Sequence, residues 1–136
     1  AGQPATAEPG AIPAALQSFA RDAVAELLRT PKLLDRALGE YLSEPKAHVW
    51  FDVQPAPDSL RGVTLDARTR MLYDDRHVYV NGESWEASGR DAALMRRLAN
   101  QRQLGERDLA RASEAARGLL ISWCEAGWLR EGKVQP

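Results

Sequence analysis

Histidine, cysteine and long apolar runs are what this sequence has least of, and each shortage closes off a class of function. Only His48 and His77 occur in 136 residues. Neither has a second histidine near it or begins the His-x-carboxylate spacing of a facial iron triad, so surface or hydrogen-bonded roles fit them better than metal ligation. The single cysteine, Cys124, cannot close an internal disulfide, which agrees with a reducing compartment. It stands in the apolar stretch Leu119–Cys124 and reads as a buried, inert thiol. No apolar run approaches the roughly 20 residues of a transmembrane helix. Ala1 to Ile12 lacks the basic start and apolar stretch of a signal peptide. A cytoplasmic protein with no membrane association is the expectation.

Catalytic patterns are equally scarce. Ser84, Ser88, Ser113 and Ser122 sit in no Gly-x-Ser-x-Gly elbow, and Cys124 has no partner of the protease type. Asp74-Asp75 reads as a turn rather than an acid/base pair, because neighbouring turn residues point apart. Gly82, Gly89 and Gly105 each suit a turn or cap and form no phosphate-cradling loop. The sequence contains no catalytic machinery and no cofactor site of its own.

What is present is patterning. Charged residues make up 27% and hydrophobic residues 44%, the balance of a water-soluble domain. The net charge of −1 hides a division between residues 1–60, with 5 basic and 8 acidic side chains, and residues 61–136, with 13 and 11. That excess of two cations is too small for a nucleic-acid footprint, though it points to two segments with different surroundings.

Residues 1–11, rich in alanine, proline and glycine, read as a disordered linker or a cut end. Pro13 suits the first turn of a helix, after which Leu16, Phe19, Ala20, Ala23, Val24, Leu27 and Leu28 follow one helical face. Thr30-Pro31 restarts the chain as N-cap and first-turn proline. Leu34, Ala37, Leu38, Tyr41 and Leu42 form a second stripe, which must stop before Pro45. So short a helical pair cannot cover its own apolar surface. Leu16, Phe19, Val24, Leu27, Leu34 and Leu38 are therefore candidate contacts of a dimer, or else ordinary core. His48–Val53 is an extended run rich in β-branched and aromatic residues, and Pro55-Ala56-Pro57 marks the expected sub-domain boundary.

Residues 62–87 read as β. Val63–Leu65 and Arg68–Tyr73 flank a tight turn at Asp66-Ala67, and Asp74–Arg76 is another turn. Asn81-Gly82 joins His77–Val80 to Glu83–Glu86 as a type I′ hairpin. Ser88 to Asp91 resembles a capping box for a helix carrying Leu94, Met95, Leu98 and Ala99. After a break at Gln103–Gly105, one long helix is expected to carry Leu109, Ala112, Ala116, Leu119, Leu120 and Trp123. Gly127 would end it in a left-handed cap, with Trp128 and Leu129 folding back. Helix, break, longer helix and return is the grammar of helix-turn-helix modules. Arg90, Arg96, Arg97, Arg102, Arg107, Arg111 and Arg117 would then face a phosphate backbone, or else form a solvated surface with the interleaved acids.

Four stretches carry a resemblance: Gly39–Lys46, Leu65–Trp85, Gly89–Leu98 and Trp123–Leu129. Together they resemble the region after the catalytic domain of bacterial JmjC/cupin-type ribosomal-protein arginine hydroxylases, over roughly residues 12–130. The resemblance implies a parent whose double-stranded β-helix binds Fe(II) and 2-oxoglutarate, followed by a helical dimerisation segment and a winged-helix-like domain. It implies a homodimer and, through the parent, an arginine of a large-subunit ribosomal protein as substrate. The family's iron motif, His-x-Asp with a distant histidine, matches neither His48-Val49-Trp50 nor His77-Val78-Tyr79, so no ligand carries over. The expected fold is α+β: a helical dimerisation segment with an extended tail over 12–57, then a winged-helix-like domain over 58–136 built of a β-hairpin and two helices. The expected role is non-catalytic, supporting dimerisation and substrate docking. A free-standing nucleic-acid-binding winged helix or a plain structural module is the alternative. The hairpin precedes the helices rather than following them, which makes nucleic acid an unlikely partner.

Overall fold

The computed structural model describes residues 10–135, so the linker expected over 1–11 lies almost wholly outside the described residues. The chain forms two compact units, one ending at Asp35 and the other beginning at Arg36.

The first unit contains helix α1 (Ala14–Arg29) and the start of α2 (Pro31–Ser43). Pro13 stands one residue earlier than expected, at the N-cap, where its carbonyl accepts the Leu16 and Gln17 N–H groups. Thr30 leaves the helical region (φ −124°) and its carbonyl accepts from Leu33 and Leu34, so the chain restarts at Pro31 as the sequence implies. No described residue of this unit is buried.

In the second unit, the last turns of α2 pack on a β-hairpin. Gly39 lies against the Tyr79 ring so closely that a Cβ there would come within 2.3 Å of it. Ser43, fully buried, donates to the Glu40 carbonyl and accepts the Gly82 N–H at 3.0 Å. Ser84 donates to the Glu40 carboxylate (2.6 Å) and accepts from Arg36 Nε (2.8 Å). The division between the two units falls within α2, after Asp35.

The His48–Val53 run pairs with no strand. The Trp50 carbonyl accepts from the Arg68 guanidinium, and just past the run Gln54 N–H donates to the Glu125 carbonyl. Phe51 meets Trp128 edge-on, and the Arg68 guanidinium lies over the Phe51 ring at 5.4 Å from its centre. Contacts of side chains replace a ladder, and Trp50 and Val53 stay exposed.

Among the described residues, six short strands make two three-stranded antiparallel sheets. β1 (Val63–Leu65) does not pair with β2 (Met71–Tyr73), as its position in the sequence suggested. The turn from Asp66 to Thr69 instead carries the chain between sheets, and Arg102 pins it by donating to both the Asp66 and Thr69 carbonyls at 2.9 Å. β2, β3 (His77–Val80) and β4 (Glu83–Glu86) form one sheet, with Val80 opposite Glu83 across the expected hairpin. Asn81 (φ 49°) and Gly82 (φ 90°) take the positive φ of a type I′ turn.

Helix α3 (Gly89–Gln101) follows, but the expected capping box is not formed: the Ser88 side chain caps nothing. Asp91 instead accepts from the N–H and hydroxyl of Ser113, and Ser113 accepts the Ala116 N–H to cap a later helix. β5 (Gln103–Leu104) and the short α4 (Glu106–Leu109) come next, then α5 (Glu114–Glu125). The long helix expected from Leu109 is thus two helices, because the Ser113 hydroxyl competes for the backbone donor at its own cap. Gly127 (φ 81°) ends α5, and Trp128 N–H reaches back to the Trp123 carbonyl. The returning chain forms β6 (Leu129–Glu131), so the second sheet has the order β5-β1-β6.

The core lies between that sheet, the hairpin sheet and the three later helices, around Val63, Leu98, Leu104, Leu120, Trp123 and Leu129. Helix, short strand, short helix, longer helix and return strand is the winged-helix arrangement, here with its central strand, β1, supplied from before the first helix. The fold is α+β, with a helical pair preceding a winged-helix unit of three helices rather than two. No helix among the described residues is long and apolar enough to cross a membrane.

Candidate interaction surface

The six apolar residues singled out in the sequence are not interior. Leu16, Phe19, Val24 and Leu34 of the first unit are exposed, Phe19 by 72%, and Leu27 is half-buried. Leu38 on α2, in the second unit, is 54% exposed. α1 has no buried residue at all. Leu28, Leu33, Tyr41 and Leu42 add further exposed apolar surface on the same two helices. Large apolar patches left in water mark interaction surfaces more often than ordinary monomer surface.

His48 is exposed, with a positive φ of 67°. His77 lies 4.0 Å from an Asp74 oxygen and 3.9 Å from Glu86. No cluster of three or more metal-ligating side chains occurs among the described residues. Cys124 is buried, and that burial, with the nearby Glu131 charge, pushes its thiol up to about 11. Asp74 closes its turn by accepting the Arg76 and His77 N–H groups and the Tyr79 hydroxyl. Burial raises its pKa, but these three donors outweigh it and leave the group below its ordinary value. Asp66 receives a two-pronged contact from the Arg68 guanidinium (2.8 and 3.1 Å), which with the Arg68 N–H holds its carboxyl down at about 2. These two line a cleft of about 510 Å³ with Asp52, Cys124, Arg130 and Glu131.

The arginines expected to face either phosphate or solvent divide differently. Arg96 lies over the Tyr73 ring at 5.5 Å, Arg97 pairs with Asp108 at 3.0 Å, and Arg117 donates to the Leu109 carbonyl. With Arg102 at the inter-sheet turn, four of the seven hold the fold. Arg107 and Arg111 share a cleft with Glu106 and Asp108. The outward face of α5, where a helix-turn-helix module presents its base-reading residues, consists of Glu114, Ala115, Gly118, Ser122 and Glu125. It holds no cation. Helical spacing from the Ser113 cap would have exposed this in the sequence, had α5 been given its true start.

The family model described as ROXA-like winged helix matches residues 26–130. No curated protein sequence matches the chain. Among solved structures, the X-ray structure of E. coli ycfD is similar, with a TM-score of 0.66 at 18% identity over 96% of this chain. A crystal structure of the Escherichia coli ribosomal oxygenase YcfD gives 0.65 at 19% identity, again over 96%. YcfD in complex with cobalt and 2-oxoglutarate gives 0.63 at 19% identity over 94%. The chain spans only 38% to 39% of those longer proteins. With more than half its length matched by the family model, the chain belongs to the ROXA-like winged-helix family.

Proposed function

We propose that this chain is the non-catalytic C-terminal region of a cupin/JmjC-type ribosomal oxygenase, which pairs two copies through α1 and α2 and helps to dock a ribosomal-protein substrate. The observation that carries this reading is the helical segment before Asp35, in which no described residue is buried although one side chain in three or four is large and apolar. The occupant of that surface is a second copy, since a self-complementary stripe is the simplest way to cover it. Iron and 2-oxoglutarate belong to the parent's catalytic domain, which accords with the cobalt and 2-oxoglutarate complex of the similar YcfD. The cell compartment in this reading is the cytoplasm.

The alternative, a nucleic-acid-binding module, is disfavoured by the neutral and acidic outward face of α5. Duplex DNA is expected not to bind measurably at physiological salt. A sub-micromolar mobility shift that weakens with salt at a log–log slope near −0.9 per phosphate would promote that alternative. The pairing itself is tested by light scattering behind a sizing column: twice the chain mass supports it, and the single-chain mass at high micromolar concentration opposes it.

A further inference from the structure

A second surface lies on the opposite kind of ground, within the well-packed unit. Between β4, α3 and α5 is a groove of about 320 Å³ whose walls include Trp85, Met95, Ala115 and Leu119, with Glu86 and Asp91 at its rim. It sits near the lower end of the roughly 300–1,000 Å³ spanned by ligand pockets, room for one anchoring side chain rather than a cofactor. The aromatic wall is rigid, because Trp85 is held edge-on by Trp123 at 5.1 Å and by Trp128 at 6.3 Å. Its rim carries one sign of charge. The Glu86 side chain is 88% exposed, and its nearest cationic candidate is His77, 3.9 Å away. Asp91 adds a second carboxylate, although it already accepts from Ser113. No arginine or lysine lines it. Beyond it, the exposed end of α5 contributes Glu114.

An apolar slot with a carboxylate rim is complementary to an apolar side chain flanked by cations. We infer that this groove binds a basic polypeptide segment, one leucine- or methionine-sized side chain entering between Trp85 and Leu119 while flanking lysines or arginines meet Glu86 and Asp91. This deepens the docking half of the proposed function and rests on it only for the identity of the partner: a protein that lives among ribosomal RNA is basic. The pairing residues on α1 and α2 and the groove residues have none in common, so the two proposals are tested on different side chains.

The test uses this chain, labelled with ¹⁵N, and three end-blocked pentapeptides: Lys-Arg-Leu-Arg-Lys, the same with serine for leucine, and Glu-Glu-Leu-Glu-Glu. The first should give saturable amide shifts confined to Trp85, Ala87, Ser88, Ala115 and Leu119. The serine peptide should bind roughly tenfold or more weakly, since the burial of one leucine is lost, and the acidic peptide not at all. Ala115→Arg, at an exposed position, should block the slot and weaken the first peptide at least tenfold with the spectrum otherwise unchanged. Glu86→Lys, at the exposed rim, should do the same and guards against a misfolded first variant. Shifts elsewhere on the molecule, equal binding of the acidic peptide, or indifference to both substitutions would overturn the proposal.

Discussion

Gly39 and Gly127 are each required by a neighbour distant in sequence. At Gly39 a methyl group would enter the Tyr79 ring, and at Gly127 it would lie 2.2 Å from the Asp52 carbonyl oxygen as well as strain a φ of 81°. Gly39→Ala should therefore cost about 1–3 kcal/mol by overpacking, measured by urea denaturation, whereas a cost within experimental error would mean that α2 does not pack on the hairpin. The sequence marked Gly127 as a cap through its place after a helix. It said nothing of Gly39 or Ser43, whose reasons lie at Tyr79 and Gly82, some forty residues on. Asp66 carries a pH dependence. Its pKa is lowered from 3.8 to about 2 in the folded chain, chiefly by the Arg68 side-chain hydrogen bonds. A depressed carboxylate stabilises the fold fully above its unfolded value and loses that contribution as pH falls towards the folded one. The stability difference between the natural chain and Asp66→Asn should thus be constant above about pH 5 and shrink between about pH 4 and pH 2. A difference independent of pH across that range would show that the Arg68 contact does not form in solution.

Elements with a strong local signal were legible: the restart at Thr30-Pro31, the Asn81-Gly82 hairpin, and α3. The short ones were not. β5 has two residues and β6 three, and each exists because β1 lies between them, a condition no local pattern states. The split of α4 from α5 was missed for a different reason. Leu109, Ala112 and Ala116 keep helical spacing across the break, and periodicity alone cannot see that Ser113 has turned its hydroxyl onto Ala116 N–H. Ser113 also satisfies Asp91 and so joins the starts of two helices. Ser113→Ala should cost about 1–2 kcal/mol, at the upper end for an N-cap, with amide exchange accelerated in the first turn of α5. Loss below about 0.5 kcal/mol would show that the cap is replaceable.

For the molecule as a whole, stability is unevenly distributed. The unit from Arg36 onward holds every buried residue among those described, and the helical segment before it holds none. Amphipathic spacing revealed where the exposed stripe would lie, in Leu16, Phe19, Val24, Leu27, Leu34 and Leu38. It left open whether the stripe is core, because a sequence pattern shows which face is apolar and not what covers it. The proposed answer is a second copy. Each buried leucine contributes roughly 1.5–3 kcal/mol, so a few per chain are of the size needed to offset the entropic cost of association. The decisive measurement is sedimentation equilibrium of the natural chain beside the double variant Phe19→Asp, Leu27→Asp, with a thermal scan of both. The account predicts a dimer for the first and, for the second, a monomer that keeps the cooperative transition of the later unit. A monomeric natural chain at high micromolar concentration would contradict it, as would a variant that loses the whole transition and so reveals the stripe as ordinary core.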